Sequence, residues 1–204
     1  MRHEQAKKVV RCAVLVDLES AAKMFKVDLY GTAQRKAIPG LVFAIQEIVA
    51  KEIQKLNLAV RYIVRLRLYH GWRKLFSTQE TVPLRGAFYG REYLRGIGRR
   101  IGSVSFQDEI EFGDELICNT PHKPLWYTFR GDRQKMVDTA IACDLLYGLN
   151  ASIYDLAVII GGDDDLLPPV FTATAAGHDV ILLRSEVKSL SEVTPYPTPE
   201  LVLI

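Results

Sequence analysis

YDLAVIIGGDDDLLPPVFTATAAGHDVILLR, residues 154–184, sets the fold class of this chain. YDLAVIIGG is a short continuous apolar run, the pattern of a strand buried on both faces. LPPVFTATAAGHD reads as a helix ended by Gly177, and VILLR as another buried strand. Strand, helix and strand in this order build a parallel sheet with a helix laid across it. Three aspartates, Asp163, Asp164 and Asp165, fall between the first strand and the helix. Ligands of open parallel sheets bind beyond the carboxyl ends of the strands.

The same alternation extends outward. VVRCAVLVD (9–17) predicts a central strand that ends on Asp17, and residues 19–25 predict a short helix. A loop is expected up to Pro39, placed in the first turn of a helix whose apolar stripe is Ile38, Leu41, Val42, Ile45, Ile48, Val49 and Ile53. LAVRYIVRLRLYHGW (58–72) alternates, with Arg61, Arg65 and Arg67 on one face. A strand covered on both sides would not carry three arginines together, so it is expected near a sheet edge or facing a groove. Residues 86–100 predict a helix broken by glycines. Residues 103–129 turn β-like, with turns at Gly113–Asp114 and Pro121 to Pro124, and predict an inserted hairpin flap or arm. Residues 132–150 predict a helix with Met136, Ile141, Leu145 and Leu149 on one stripe. The proline-punctuated tail suits an added edge strand. The expected class is α/β: a three-layer Rossmann-like fold with a central, mainly parallel sheet and a β-rich insertion at about 103–129.

A length of 204 residues suits a single domain spanning 1–204. Apolar content of 49% against 25% charged argues against a disordered chain. Cys12, Cys118 and Cys143 are few and odd in number, which points to reduced thiols and a cytoplasmic setting. Cys12 and Cys143 are expected in the core. Cys118 and His122 have no second pair to complete a zinc site. No stretch approaches the roughly 20 apolar residues that span a bilayer, so a soluble intracellular protein is expected.

If the strands ending at Asp17 and before Asp163 are neighbours, four carboxylates converge. Capping explains one aspartate of the triple run, most naturally Asp165, and leaves the others without a structural reason. Clustered carboxylates raise one another's pKa unless a positive charge intervenes. Hard oxygen ligands suit Mg²⁺ or Mn²⁺. The helix at 132 adds Asp138 and Asp144, the second pointing about 240° further round, so both cannot face one metal. Asp138 lies nearer the helix start, within reach of a strand's end. Asp144 is open to two readings, a structural ion pair or a group supporting the site.

Taken together, VLVDLES, RGDRQKMVDTAIACD and VIIGGDDDLLPPVFTATAAGHDVILL resemble the NYN family, relatives of the PIN-domain nucleases. LRLYHGW is similar to the family's second-strand segment, whereas residues 73–125 match nothing in it. The resemblance implies a PIN-like fold and Mg²⁺- or Mn²⁺-dependent phosphodiester cleavage, usually of RNA. It assigns the catalytic and metal-binding positions to Asp17, Asp138, Asp163 and Asp165. Lys135 and Asp144 match the partner positions, Ser20 stands where the family has asparagine, and Asp164 falls at a variable, accessory position. Gly161 replaces the usual serine and Leu166 the usual phenylalanine.

A nuclease also holds a polyanion. Ten Lys/Arg lie between 61 and 101, against Glu80 and Glu92. Those expected to contact nucleic acid, RNA in preference to DNA, are Arg61, Arg65, Arg67, Arg73, Lys74, Arg91, Arg95 and Arg99, with Arg130 and Arg133 before the acidic helix. Interleaved aromatics such as Trp72, Phe88 and Tyr93 are candidates for base stacking. Two rivals are a HAD-like phosphatase and a non-catalytic nucleic-acid-binding module. The first wants Asp-x-Asp after strand one, where this chain has Asp17-Leu18-Glu19, and it gives no reason for Asp138. A homo-oligomer or a protein partner is compatible with all three readings.

Overall fold

The computed structural model describes residues 8–29, 34–56, 59–70, 96–113, 115–118, 129–130, 133–134, 136–184 and 201–203. Its centre is a seven-stranded sheet in the order β3-β4-β2-β1-β7-β8-β9. The strands are β1 (Val9–Asp17), β2 (Arg61–Tyr69), β3 (Arg100–Ile101), β4 (Val104–Phe112), β7 (Leu156–Ile160), β8 (Asp179–Arg184) and β9 (Leu201–Leu203). β5 (Phe129–Arg130) and β6 (Arg133–Gln134) form a separate antiparallel pair. Every pairing in the main sheet is parallel except β3 with β4. The helices are α1 (Leu18–Met24), α2 (Gln34–Leu56), α3 (Val137–Asn150) and α4 (Leu167–Ala175).

The apolar runs explain the layers. Side chains alternate along β1, so Cys12, Val14 and Val16 join the core under α1 and α2. Ala13 and Leu15 join the opposite core, under α3 and α4. Ile38, Leu41, Val42, Ile45, Val49 and Ile53 form the buried stripe of α2. Fully burying one such aliphatic side chain contributes about 1.5–3 kcal/mol, so the stripe alone anchors the helix. The order places β1 centrally, with β2 and β4 to one side and β7, β8 and β9 to the other. The direction of strand succession reverses between β1 and β7, and a crevice at their carboxyl ends is the ligand position of such sheets.

Several expectations are corrected. α2 begins at Gln34, so Pro39 lies inside the helix rather than opening it. It is the sixth residue of the helix, past the N–H groups that lack a partner at a helix start, so it forfeits one backbone bond. β2 is not at an edge, because it pairs with β1 and β4 along both sides; the groove alternative holds, since Arg65 and Arg67 line one with Ala13, Leu15 and Glu111. The residues of 103–112 do not form a flap: β4 joins the central sheet, and the short edge strand β3 folds back on it through Gly102 at φ +60°. No helix occurs among the described residues 96–100, and 86–95 lie outside them. The helix expected from 132 starts at Val137, after the strand β6, and Met136 is exposed rather than part of the stripe. Cys143 is exposed, whereas Cys12 is buried as expected. The C-terminal edge strand is present as β9, paired with β8. No described helix is long and apolar enough to cross a membrane.

Candidate metal centre

The acidic residues meet where the strand succession reverses. Asp17 ends β1 and caps α1: its Oδ1 accepts the Glu19 N–H at 3.1 Å, and its Oδ2 accepts the Ser20 hydroxyl at 2.5 Å. Ser20 thus supports an aspartate. Both oxygens of Asp17 hold a local donor and the residue is buried. Desolvation lifts its pKa above the ordinary carboxylate value, and the bonds from Ser20 and Glu19 pull it back down.

After β7 the chain passes Gly161 and Gly162 and makes a 3-10 turn over Asp164–Leu166. The turn is pinned at its base by fully buried Leu166. A Cβ on Gly161 would meet Leu166 Cδ1 at 2.3 Å, so the glycine and the leucine are fitted to each other. The capping expectation is corrected by two residues: Asp163 is the N-cap, accepting the Asp165 N–H at 3.2 Å, and Asp165 does not cap.

α3 supplies the third carboxylate. Met136 precedes it at φ +65°, a left-handed conformation that costs a non-glycine residue about 1–2 kcal/mol. Asp138 stands in the first turn, where the helix dipole favours negative charge. One oxygen each from Asp138, Asp163 and Asp165 lie within 4.8 Å of one another, and this group could hold a metal ion. Asp17 is outside that set but close enough to act on it. Burial first, then the charges of Asp17, Asp163 and Asp165, push the Asp138 carboxyl up to about 6. Among the described residues, no Lys, Arg or His forms a salt bridge with Asp17, Asp138, Asp163 or Asp165. An all-oxygen, uncompensated donor set of this kind matches the preference of a hard divalent cation.

Asp144 resolves to a structural role. It is 1% exposed and accepts from Arg67 Nε at 3.0 Å, the Tyr69 hydroxyl at 2.6 Å and the Ile117 N–H at 2.7 Å. Arg67 also bonds Glu111 at 3.2 Å and the Glu115 carbonyl. Arg67 is therefore corrected from a phosphate contact to an internal counter-ion, which explains how β2 carries an arginine under the α3 layer.

Other expected nucleic-acid contacts are also dispersed. Arg61 pairs in register with Val9 at the far end of the sheet, eight residues or about 26 Å from the Asp17–Tyr69 edge. Arg65 is exposed and lies 3.7 Å from Glu111. Arg99 is held by Glu47 at 3.0 Å and by Gln46 and the Phe43 carbonyl at 2.7 Å each, with its guanidinium over the Phe43 ring. Arg73, Lys74, Arg91, Arg95 and Lys135 lie outside the described residues, as do the side chains of Arg130 and Arg133 on β5 and β6.

Two neighbours went unread in the sequence. His70 is buried at the end of β2, its Nε2 3.8 Å from Glu19 Oε1. Arg184, at the end of β8, reaches back to the triple-aspartate turn: its Nη2 donates to the Gly162 carbonyl at 2.8 Å and to Asp164 Oδ1 at 2.5 Å. An arginine closing an apolar strand was the available signal. No family model matches the chain, and no match to it was found among curated proteins or solved structures.

Proposed function

We propose that this chain is a divalent-metal-dependent nuclease of the NYN type with a PIN-like fold, most readily a ribonuclease acting on single-stranded or structured RNA. The observation that carries the reading is the set of Asp138, Asp163 and Asp165 oxygens within 4.8 Å, drawn from two chain segments and forming no salt bridge with a cation among the described residues. A fold gains nothing from such repulsion, so the cluster is better explained by a cation it receives.

Asp138, Asp163 and Asp165 would hold Mg²⁺ or Mn²⁺. When bound, such an ion lowers the pKa of a coordinated water and offsets the charge that grows on a phosphodiester during hydrolysis. Asp17 adds negative charge behind the three and is fixed by Ser20, so it orients rather than completes the set. Asp138, poised at about 6, is ionised at neutral pH and ready to ligate. Arg61, Arg65, Arg67 and Arg99 stand away from the acidic edge or are already engaged. Phosphate contact would then fall to Arg73, Lys74, Arg91, Arg95, Arg130 and Arg133.

The test is cleavage of single-stranded RNA and DNA side by side, with Mg²⁺, Mn²⁺ or EDTA, by wild type and Asp163→Asn. Wild type is expected to cut RNA with Mn²⁺, and Asp163→Asn to bind RNA without cutting it. Binding of RNA by wild type with no cleavage under any metal would favour a non-catalytic binding module.

A further inference from the structure

The middle aspartate of the triple run points away from the other two. Asp163 and Asp165 each place an oxygen in the set shared with Asp138, whereas Asp164 bonds Arg184. Arg184 is 1% exposed, and its Nε and Nη1 are buried without a hydrogen-bond partner. A guanidinium carries five N–H donors, and burying some of them unsatisfied is costly. Asp164, by contrast, is 76% exposed, so a pair between them is partly screened and is a weak reason to bury an arginine. As a device for stability alone the arrangement is poor, and its placement suggests what it does instead.

Arg184 is the last residue of β8, and β7 is its parallel neighbour, with Ile160 level with Leu183. The guanidinium therefore sits beside the start of the turn. It holds the turn at two points, the carbonyl of Gly162 just before Asp163 and the carboxylate of Asp164 between the two ligating candidates. A turn with Leu166 packed on Gly161 at its base and Asp164 tied to Arg184 at its crest has little freedom to rotate. The carboxylates on either side of Asp164 are then aimed by the same constraint.

We infer that Arg184 is a positioning residue for the metal centre, fixing Asp163 and Asp165 toward Asp138 through Gly162 and Asp164. This rests on the reading of the acidic cluster as a divalent-cation site. Partners one layer outside a metal's ligands typically set its affinity by about 10- to 100-fold, and Arg184 belongs to that layer.

The test is Mn²⁺ binding to the full chain, read as the loss of the free-ion EPR signal, for wild type, Arg184→Lys, Asp164→Asn and Asp138→Asn. Both bonds leave the one nitrogen Nη2, and lysine keeps the charge but carries its nitrogen on a shorter stem that does not reach the same point. Asparagine at 164 keeps an acceptor on an exposed side chain and should fold normally. Both variants are expected to bind Mn²⁺ about tenfold more weakly at unchanged stoichiometry. A merely structural Arg184 would lower the fraction of competent protein and leave the dissociation constant of that fraction as in wild type. That outcome, or wild-type binding by both variants, overturns the positioning role while leaving the metal site intact. Wild type that binds no Mn²⁺, or binds it as Asp138→Asn does, overturns the metal site itself and this inference with it.

Discussion

Two aspartates on α3, six residues apart, have opposite surroundings. Asp144 is buried and fully answered: a guanidinium, a phenol and a backbone N–H converge on it. Asp138 is half-buried beside Asp163 and Asp165, with Asp17 near, and receives no cationic partner among the described residues. The first is what a fold does with a carboxylate it must bury; the second belongs to a group that could hold a metal ion.

The largest expected effect comes from Asp138→Asn. It should reduce Mn²⁺-dependent cleavage by more than about 100-fold and raise the metal-free thermal midpoint, since it removes a carboxylate that its neighbours repel. Loss of activity with a lower midpoint would place Asp138 with Asp144, among the structural acids. Asp144→Ala should do the reverse of the stability change, destabilising the protein by about 3–5 kcal/mol in urea unfolding, because it strands a buried arginine. A neutral result there would mean that Glu111 and the Glu115 carbonyl satisfy Arg67 on their own.

The pH dependence sharpens the same comparison. Asp138 titrates near 6 in the fold and near the ordinary carboxylate value when unfolded, so between these the native state holds more protons. In EDTA, stability should fall as the pH rises from about 4 to 6 and level off above that. Asp17, also raised by burial, acts in the same direction. Asp138→Asn should flatten that slope; an identical slope in the variant would assign it to other groups. The smallest effect is expected from Arg65→Ala, an exposed residue whose ion pair with Glu111 is long. Its stability should change by less than about 0.5 kcal/mol, and cleavage should be unchanged. A large loss of cleavage would move the substrate path onto that face of the sheet.

What was legible in the sequence follows from how locally each feature is encoded. β1, β7 and β8 are buried on both faces, so each is a continuous apolar run that needs no partner to be recognised. The acidic turn was legible because capping cannot account for three aspartates in succession. The turn of about 240° from Asp138 to Asp144 separated them by helix geometry alone. What was not legible depends on distant pairing. Arg67 looked like a surface cation because the carboxylate that neutralises it is 77 residues away. The same omission left β2 open to an edge or a groove, since three arginines on one face argue for solvent unless their partners are known, and it faces a groove. β4 looked like a flap because its acidic sequence does not disclose that it pairs with β2. Asp164 looked dispensable because nothing near it announces Arg184, twenty residues on. Which aspartate capped the turn was a matter of two residues, and periodicity does not resolve that.

The measurement closest to the central claim is anomalous scattering from crystals grown with Mn²⁺. One strong peak is expected about 2.1 Å from an oxygen of each of Asp138, Asp163 and Asp165, and none at Asp144. Crystals saturated with Mn²⁺ that show no peak among those three carboxylates would contradict it.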